Sequence, residues 1–251
     1  MNNKHVLTGV FLLGAAGGVS AADERSVVKN LPMVHDWSGG YVGVQVGHGW
    51  GESNFHDNEY NGAAPFEPVS WDADSSGLLA GIQAGYNWQQ GRRVFGVEAE
   101  LGRLKLDESS LQPGVDIYGD AYDASATIRS GTFAGLSARL GYARDRTLFY
   151  AKAGAVYSNL KVGFLDTCTA SPCGDGAINI SKKVGWGYQV GAGVEHAVSK
   201  SWTLKAEYAY LDFGNTTITG DGTSGIAAGN TYNIRSDLSV HTFRFGANYQ
   251  F

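Results

Sequence analysis

The sequence lacks the long apolar runs from which membrane-spanning helices are built. After the first 21 residues, no run approaches the roughly 20 apolar residues that such a helix needs. Charged residues are scarce, at 17% against about 25% in soluble domains, and only 5 of the 251 residues are proline. Glycine, by contrast, accounts for 36 residues and aromatic side chains for 12%. This composition favours a membrane β-barrel, whose segments are only half apolar; a secreted β-sandwich or soluble barrel is the alternative.

The first 21 residues are predicted to be a secretory signal peptide. Lys4 provides a positive start, an apolar run follows, and Val19-Ser-Ala21 forms a small-residue cleavage site. Because the apolar run is short, a membrane anchor is disfavoured. Residues 22–36 are polar and irregular and are interpreted as a periplasmic lead-in. The remaining residues, 37–251, are predicted to form one outer-membrane barrel domain.

In the last stretch of the chain, residues 238–251, apolar and polar residues alternate in a way that indicates the environment of the strand. From Phe243 to Phe251 every second residue is apolar, and the positions between them carry an arginine, a glycine and two amides. Alternate side chains of a strand point to opposite faces, so one face is aromatic and the other polar. The aromatic face continues to the chain end, where a soluble sandwich would have a fraying terminus. A strand that faces lipid outward and water inward has no such difficulty.

Seven earlier segments repeat this alternation. In each, small or aromatic apolar residues occupy every second position, and glycine, amide or charged residues lie between them. With the last stretch they give eight predicted strands, at residues 40–51, 77–89, 94–106, 128–143, 148–162, 184–197, 202–213 and 238–251.

The predicted connections alternate between short and long. The short ones are residues 89–93, 144–147 and 198–201, and the long ones are residues 52–76, 107–127, 163–183 and 214–236. Outer-membrane barrels have short periplasmic turns and long surface loops. The sequence therefore predicts an all-β fold, an eight-stranded antiparallel up-and-down transmembrane β-barrel with short periplasmic turns and four long extracellular loops.

Eight charged side chains are predicted to point into the barrel lumen. Four are acidic and four are basic: Glu98, Glu100, Glu195, Glu207, Arg139, Lys152, Lys205 and Arg244. Buried charges must be paired, and eight strands leave an interior just wide enough for side chains. The sequence therefore predicts a lumen plugged by charge pairs, with a narrow pore as the alternative. Four cations on the same face disfavour paired-carboxylate catalysis by Glu98 and Glu100.

The predicted loops carry two further features. Residues 52–76 and 107–127 contain acidic residues and no lysine or arginine, which argues against nucleic acid as a partner. Such loops are compatible with divalent cations that bridge to anionic lipid headgroups, or with a cationic partner. Cys168 and Cys173 are predicted to form a disulfide in an exported chain. A metal site there is disfavoured because no histidine lies in that loop, and no metal or cofactor is predicted elsewhere.

Three segments and the terminal residue resemble a known family. They are Trp37-Ser-Gly-Gly-Tyr-Val-Gly-Val, residues 139–151 (RLGYARDRTLFYA), residues 202–210 (WTLKAEYAY) and Phe251. The chain is similar to the small outer-membrane barrels of the outer-membrane immunogenic protein and hemin-binding protein family of Gram-negative bacteria. The resemblance implies an outer-membrane location, contact with the lipid bilayer and lipopolysaccharide, and Phe251 as the terminal aromatic residue read by the outer-membrane assembly machinery.

The resemblance is weak for activity, because family members are described as porin-like, structural, adhesive or hemin-binding. Hemin binding would require exposed axial ligands, for which His56 and then Tyr60 are the candidates. A solvated loop histidine is favoured over a hemin ligand, and the extracellular partner stays unknown.

Three functions remain as hypotheses: a structural or surface-interaction protein, which is favoured; a narrow pore or hemin-binding porin-family protein; and, remotely, a lipid-modifying enzyme. The third rests on Ser239 and His241, which share the predicted lipid face near the loop end, with His48 across the seam between the first and last strands. A serine, a histidine and an acid on one face are required. No outward acid is evident from the alternation, so the protein is predicted not to be an enzyme.

Overall fold

The computed structural model describes residues 35–57, 69–111, 124–166, 178–223, 228–229 and 231–251, with the side chains of residues 56, 57 and 69–71 outside that description. The strands are β1 (Gly39–Asp57), β2 (Val69–Gln90), β3 (Arg93–Leu104), β4 (Glu108–Leu111), β5 (Ser125–Arg129), β6 (Gly131–Arg144), β7 (Thr147–Asp166), β8 (Ile178–Ala197), β9 (Trp202–Asp221) and β10 (Thr231–Gln250). Among these residues, no helix has the length and apolar character needed to cross a membrane.

Eight of the strands pair, always antiparallel, in a closed ring. The order is β1–β2–β3–β6–β7–β8–β9–β10, and β10 pairs again with β1. The two short strands lengthen the wall, since β5 pairs with β7 beyond the start of β6, and β4 pairs with β5. A closed ring satisfies the backbone polar groups that a sheet edge would leave unpaired. The predicted all-β, antiparallel up-and-down barrel is confirmed.

Tight turns gather at one end of the ring, which we call the short-turn end. β2 and β3 are joined through Gly91 and Arg92, and β6 and β7 through Asp145 and Arg146. Gly91 and Asp145 adopt positive φ angles of 63° and 55°, which glycine tolerates freely and aspartate more readily than most residues. The opposite end is called the long-loop end.

A belt of apolar side chains surrounds the ring. On β1, for example, Val44 and Val46 are exposed while Gln45 is buried. The belt contains valine, leucine, isoleucine and many aromatic residues, among them Val42, Trp50, Ile82, Tyr86, Trp88, Phe95, Leu101, Leu136, Leu140, Tyr142, Phe149, Tyr157, Trp186, Tyr188, Trp202, Leu204, Tyr208, Phe243, Phe245 and Tyr249. An outward apolar band with polar side chains inside is the pattern of a barrel in lipid.

Towards the long-loop end the polarity of the two faces inverts. On β1, Glu52 and Asn54 are exposed while Phe55 is buried. On β9, Thr217 and Thr219 are exposed while Ile218 between them is fully buried. The barrel therefore continues beyond its apolar belt as a segment with a polar exterior and an apolar interior.

This inversion explains why the strands are longer than predicted. β1 continues to Asp57 and β2 begins at Val69, so much of the predicted loop at residues 52–76 is strand. The predicted loops at residues 107–127, 163–183 and 214–236 are likewise shortened by strand residues at both ends. Beyond the belt the outer face carries polar side chains, so a search for outward apolar residues ends the strands too early.

The predicted fourth strand is also interrupted, at Ser130. The pairing of β7 with β8 shifts between Ser158 and Lys161, which marks a bulge in β7. The break is fastened by Asp107, whose carboxylate accepts the backbone N–H of Ser130 at 3.0 Å and its hydroxyl at 2.8 Å. β5 and β6 thus occupy successive parts of a single strand position in the barrel wall.

Residues 35–38 cross the short-turn end. The His35 N–H donates to the Asp145 carbonyl at 2.8 Å, and the Gln250 side-chain amide donates to the carbonyls of Asp36 and Ser38, each at 2.9 Å. Trp37 is inserted into the barrel and is only 1% exposed. The last residues before β1 therefore close this end.

The inversion predicts opposite effects for neighbouring substitutions on β9. Ile218→Asp would bury an unpaired carboxylate, and we expect the free energy of unfolding to fall by about 3 kcal/mol or more. Thr217→Asp changes an exposed neighbour and should stay within about 0.5 kcal/mol of the wild type. Urea unfolding of the refolded protein, followed by tryptophan fluorescence, measures both. Equal stability of the two variants would contradict an apolar interior at this level.

Candidate functional site

The belt-level lumen contains the eight charged residues singled out from the sequence. They come from inward positions on β3, β6, β7, β8, β9 and β10, and each is at most 5% exposed. Their ion pairs form two groups, which together are called the charge network: Glu98, Glu100, Lys152, Lys205, Glu207 and Arg244 in the first, and Arg139 and Glu195 in the second.

Lys152 is the hub of this network. Its Nζ lies 2.9 Å from Glu98 Oε1, 2.9 Å from Glu207 Oε1 and 3.5 Å from Glu100 Oε1. Arg244 completes the group, with Nη1 at 2.6 Å from Glu100 Oε2 and 3.5 Å from Glu207 Oε1. Lys205 Nζ is more distant, 3.8 Å from Glu98 and 3.7 Å from Glu207. Every carboxylate here is shared between cations, which a buried charge requires.

Arg139 and Glu195 form the second group of the charge network, apart from the group around Lys152. The Arg139 guanidinium is bonded to the Glu195 carboxylate and lies 3.6 Å from the centroid of the Tyr150 ring, a cation–π arrangement. Glu195 also accepts the Thr203 hydroxyl and the Asn248 side-chain amide. The hydrogen-bond partners satisfy the remaining carboxylate oxygen.

Several partners in the network were not predicted from the sequence. The Tyr41 hydroxyl donates to Glu98 at 2.8 Å, the Tyr150 hydroxyl to Glu207 at 2.9 Å and the Gln45 amide to Glu100 at 3.1 Å. The alternation places Tyr41, Gln45 and Tyr150 on inward faces, but a search restricted to formal charges passes over them. Neutral donors are needed because a buried carboxylate has more acceptor sites than its cations fill.

Glycines on the inward face provide the space for these side chains. A Cβ at Gly193 would lie 2.6 Å from the Tyr150 hydroxyl, and one at Gly135 would lie 2.9 Å from Glu100 Oε1. Both distances are shorter than van der Waals contact, so a side chain at either position would displace the end of Tyr150 or Glu100. At Gly193 the Cβ would also lie 2.7 Å from the backbone carbonyl oxygen of Ala206, which is less free to move.

Apolar clusters lie on both sides of the charge network. The cluster at the short-turn end consists of Trp37, Val94, Ala143, Leu148, Tyr150 and Ala197. A larger cluster at the long-loop end includes Phe55, Leu106, Ile128, Phe133, Val162, Phe213, Ile218 and Ile234. Arg244 marks the boundary, because its guanidinium lies 5.4 Å from the Phe133 ring centroid. The interior thus consists of a charged layer between two apolar layers.

Ser239 and His241, on which the enzyme hypothesis rests, lie on the outer face of the barrel, and acidic side chains lie beside them on the same face. Ser239 is the register partner of Glu52 on β1 and of Asp212 on β9. The expectation that no acid lies outward there was wrong, because the apolar-out pattern ends below these positions. His241 Nδ1, however, lies 2.6 Å from the Tyr208 hydroxyl, and Asp212 accepts the hydroxyls of Tyr188 and Tyr210. The histidine and the acid are thus bonded to tyrosines, and Ser239 shares a side-chain hydrogen bond with Tyr210.

Other predicted positions lie at or beyond the limits of the description. Cys168 and Cys173 lie outside the described residues, as does Tyr60, so the disulfide stays a prediction. The backbone of His56 pairs with Ser70 and Arg235, but its side chain lies outside the description. The signal peptide and residues 22–34 are outside it too. In the part of the chain that is described, no group of three or more histidine, cysteine or acidic side chains could hold a metal ion.

The family of the chain follows from its similarity to known proteins. The model of the outer membrane protein beta-barrel domain matches residues 9–251. The chain belongs to this family. It is 30% identical to the 31 kDa outer-membrane immunogenic protein of Brucella melitensis over 98% of this chain and 97% of that protein. It is also 34% identical to a 22 kDa outer membrane protein of Rhizobium leguminosarum, over 57% of this chain and 56% of that protein.

One solved structure at a TM-score of 0.50 supports the barrel fold. The outer membrane protease OmpT of Escherichia coli has a TM-score of 0.50 at 9% identity, covering 85% of this chain and 97% of OmpT. OprG of Pseudomonas aeruginosa has a TM-score of 0.47 at 12% identity over the same shares. The predicted family and outer-membrane location are confirmed, so the apolar belt lies in the lipid bilayer.

The hub position of Lys152 predicts a strong response to its removal. Lys152→Met leaves Glu98 and Glu207 without their shortest cation contacts, and we expect a loss of about 3–5 kcal/mol in the free energy of unfolding. Lys200→Met, at an exposed turn, is the matched control and should have little effect. Adding Glu207→Gln to Lys152→Met removes one charge of each sign and should restore part of the loss. Urea unfolding in detergent micelles measures all three, and a Lys152→Met variant as stable as the control would contradict the hub role.

Proposed function

We propose that this protein is a closed outer-membrane barrel with a structural and surface-interaction role, and that its lumen does not conduct. The observation that carries the proposal is the layered interior. Ions would have to pass an apolar cluster at each end and a charge network whose members are bonded to one another. Eight strands leave space only for the side chains that fill it.

The charge network is the part of the lumen that could favour a pore. Its four carboxylates and four cations, however, are held within 4 Å of opposite charges. A conducting path would need water to replace these contacts. Trp37 adds a further obstruction at the short-turn end, where it is buried in the apolar cluster.

The proposal includes no catalysis. The His241 ring stacks on that of Trp50, with the centroids 5.9 Å apart, and lies tilted against that of Tyr210, with the centroids 5.0 Å apart. Its bond to Tyr208 and the bonds of Asp212 to two tyrosines match an aromatic girdle at a membrane interface. The relatives are outer-membrane immunogenic proteins by name, which supports a role at the surface. Hemin binding through His56 stays a prediction.

We further propose that Phe251 serves as the terminal signal for the assembly machinery. Its N–H donates to the Gly40 carbonyl at 3.1 Å, which continues the pairing of the first and last strands. Its side chain is nevertheless 74% exposed. An exposed aromatic ring at a paired chain end is accessible to another protein.

The closed lumen predicts electrical silence. Refolded protein in a planar bilayer should show no discrete steps over a wide voltage range, because the interior has no continuous water path. Trp37→Ala should be silent as well, since the charge network and the larger apolar cluster remain. A large porin added to the same bilayer controls for detection. Reproducible wild-type steps would overturn the proposal.

Phe251→Ala should reduce the amount of protein assembled in the outer membrane, because the exposed ring is lost. The barrel itself should remain stable after refolding in vitro, since the ring is mostly exposed. Tyr249→Ala, on the same face of β10, is the control for loss of an aromatic residue. Heat-modifiable mobility of membrane fractions measures the assembled protein; equal levels for Phe251→Ala and wild type would contradict the signal role.

A further inference from the structure

Five exposed cations lie on the outer face of one side of the barrel, just beyond the apolar belt. We call them the basic arc: Arg103, Lys105, Arg129, Lys161 and Lys183. The last outward apolar side chains below them are Leu101 on β3, Tyr157 on β7 and Trp186 on β8. Aromatic belts mark the headgroup level of a bilayer, so the basic arc lies where lipid phosphates lie.

Three members of the arc form a lateral row of like charges. Arg129 on β5 is the register partner of Lys161 on β7, and Lys161 is the register partner of Lys183 on β8. Like charges directly opposite each other destabilise a sheet. In the described ranges, the ion pairs within 4 Å involve only members of the charge network, so none joins this row to a carboxylate. Asp107 interacts electrostatically with Arg129 without forming such a pair. Three like charges with one nearby acid leave a positive excess that an anion from outside can neutralise.

One acid beside the arc, Asp107, is already engaged in hydrogen bonds. Asp107 follows Lys105 by two residues and holds Ser130, the neighbour of Arg129. The backbone N–H of Ser130, followed by its hydroxyl, lowers the pKa of the Asp107 carboxyl. Asp107 is therefore ionised at neutral pH and fixes the strand break, and the arc keeps a net positive charge.

The charges at this level are unevenly distributed around the barrel. Acidic side chains predominate on the outer face of β1, β2, β9 and β10, on the other side of the ring: Glu52, Asp72, Asp74, Asp212 and Asp237. Arg235 on β10 and Glu108 on β4 are exposed exceptions to this distribution. The basic arc is thus a localised feature of one side, formed by β3, β5, β7 and β8.

We propose that the basic arc binds the phosphate groups of an anionic lipid in the outer leaflet. Arginine can hold a phosphate through two N–H groups, and lysine contributes a compact positive charge. The rigid strand register of Arg129, Lys161 and Lys183 presents three such groups side by side. The inference rests on the membrane position of the belt and not on closure of the lumen, so lipid binding and electrical silence can fail independently.

The test is titration of the refolded full chain in non-ionic detergent with bisphosphorylated lipid A, with complexes counted by native mass spectrometry. The variant Arg129→Gln/Lys161→Gln/Lys183→Gln should bind on the order of a hundredfold more weakly, because each basic residue near an anionic lipid surface contributes roughly fivefold. Arg93→Gln/Arg144→Gln/Lys200→Gln removes three exposed charges at the short-turn end and should bind like the wild type. Dephosphorylated lipid A should bind weakly to all.

A second measurement separates binding from folding. Without lipid A, Lys161→Gln should raise the melting temperature slightly, because it removes two like-charge contacts, while it weakens lipid A binding. Equal lipid A affinity of the arc variant and the wild type would overturn the proposal, as would equal losses in both triple variants. Competition by millimolar inorganic phosphate would assign the site to a free anion. Oligomers that need the arc but no lipid would assign it to a second copy of the chain.

Discussion

The barrel depends on the pairing of four carboxylates with four cations in a space that lipid surrounds. None of these charges reaches water, so each is stable only while its partner stays within bonding distance. The partners are far apart in sequence: Arg244 and Glu100 are separated by 144 residues, and Lys152 and Glu98 by 54. Their contacts require β3, β7, β9 and β10 to be present in one register. A shift of one residue would turn the charged faces towards lipid, so the same pairs that fill the lumen also specify how the ring closes.

A charged interior contributes little hydrophobic stabilisation, and the structure obtains it elsewhere. Beyond the belt the outer face of each strand is polar, and the inward positions become Phe55, Phe213 and Ile218, which are buried. Along β1 the phase of the side chains does not change, and only the chemistry of the two faces exchanges. On β9 an irregularity in the pairing at Gly214 and Asn215 shifts the phase by one residue before the buried Ile218. One set of strands therefore forms a membrane barrel at one level and, at the next, a barrel with an apolar core. Within the described residues, the strands at the long-loop end consequently form a folded wall, which gives their outer side chains fixed positions.

The period-two pattern was sufficient to predict the strand order, the outward belt and the inward position of all eight charges. It was insufficient wherever the environment changed along a strand. Residues 52–55 follow the same alternation as residues 42–50, but with the polarity reversed. Judged by outward apolar residues, they therefore resembled a loop. The bulge beside Ser158 and the break at Ser130 follow from strand pairing with distant segments, which local sequence does not reveal. Tyr41 and Gln45 were placed on the correct face, yet their bonds to Glu98 and Glu100 depend on the closed ring.

Interior and exterior residues contribute differently to the free energy of unfolding. Inward residues are occupied by mutual pairing or packing, and their loss leaves buried charges or cavities that cost several kcal/mol. Exposed charges such as Lys161 and Asp74 contribute about 0–1 kcal/mol each to stability, so they can differ without endangering the fold. The outer face therefore tolerates substitution of its charges, which are mostly basic on β3, β5, β7 and β8 and mostly acidic on β1, β2, β9 and β10. Pairing and packing in the interior hold the strands in one register, and that register sets the spacing of the charges on the outer face.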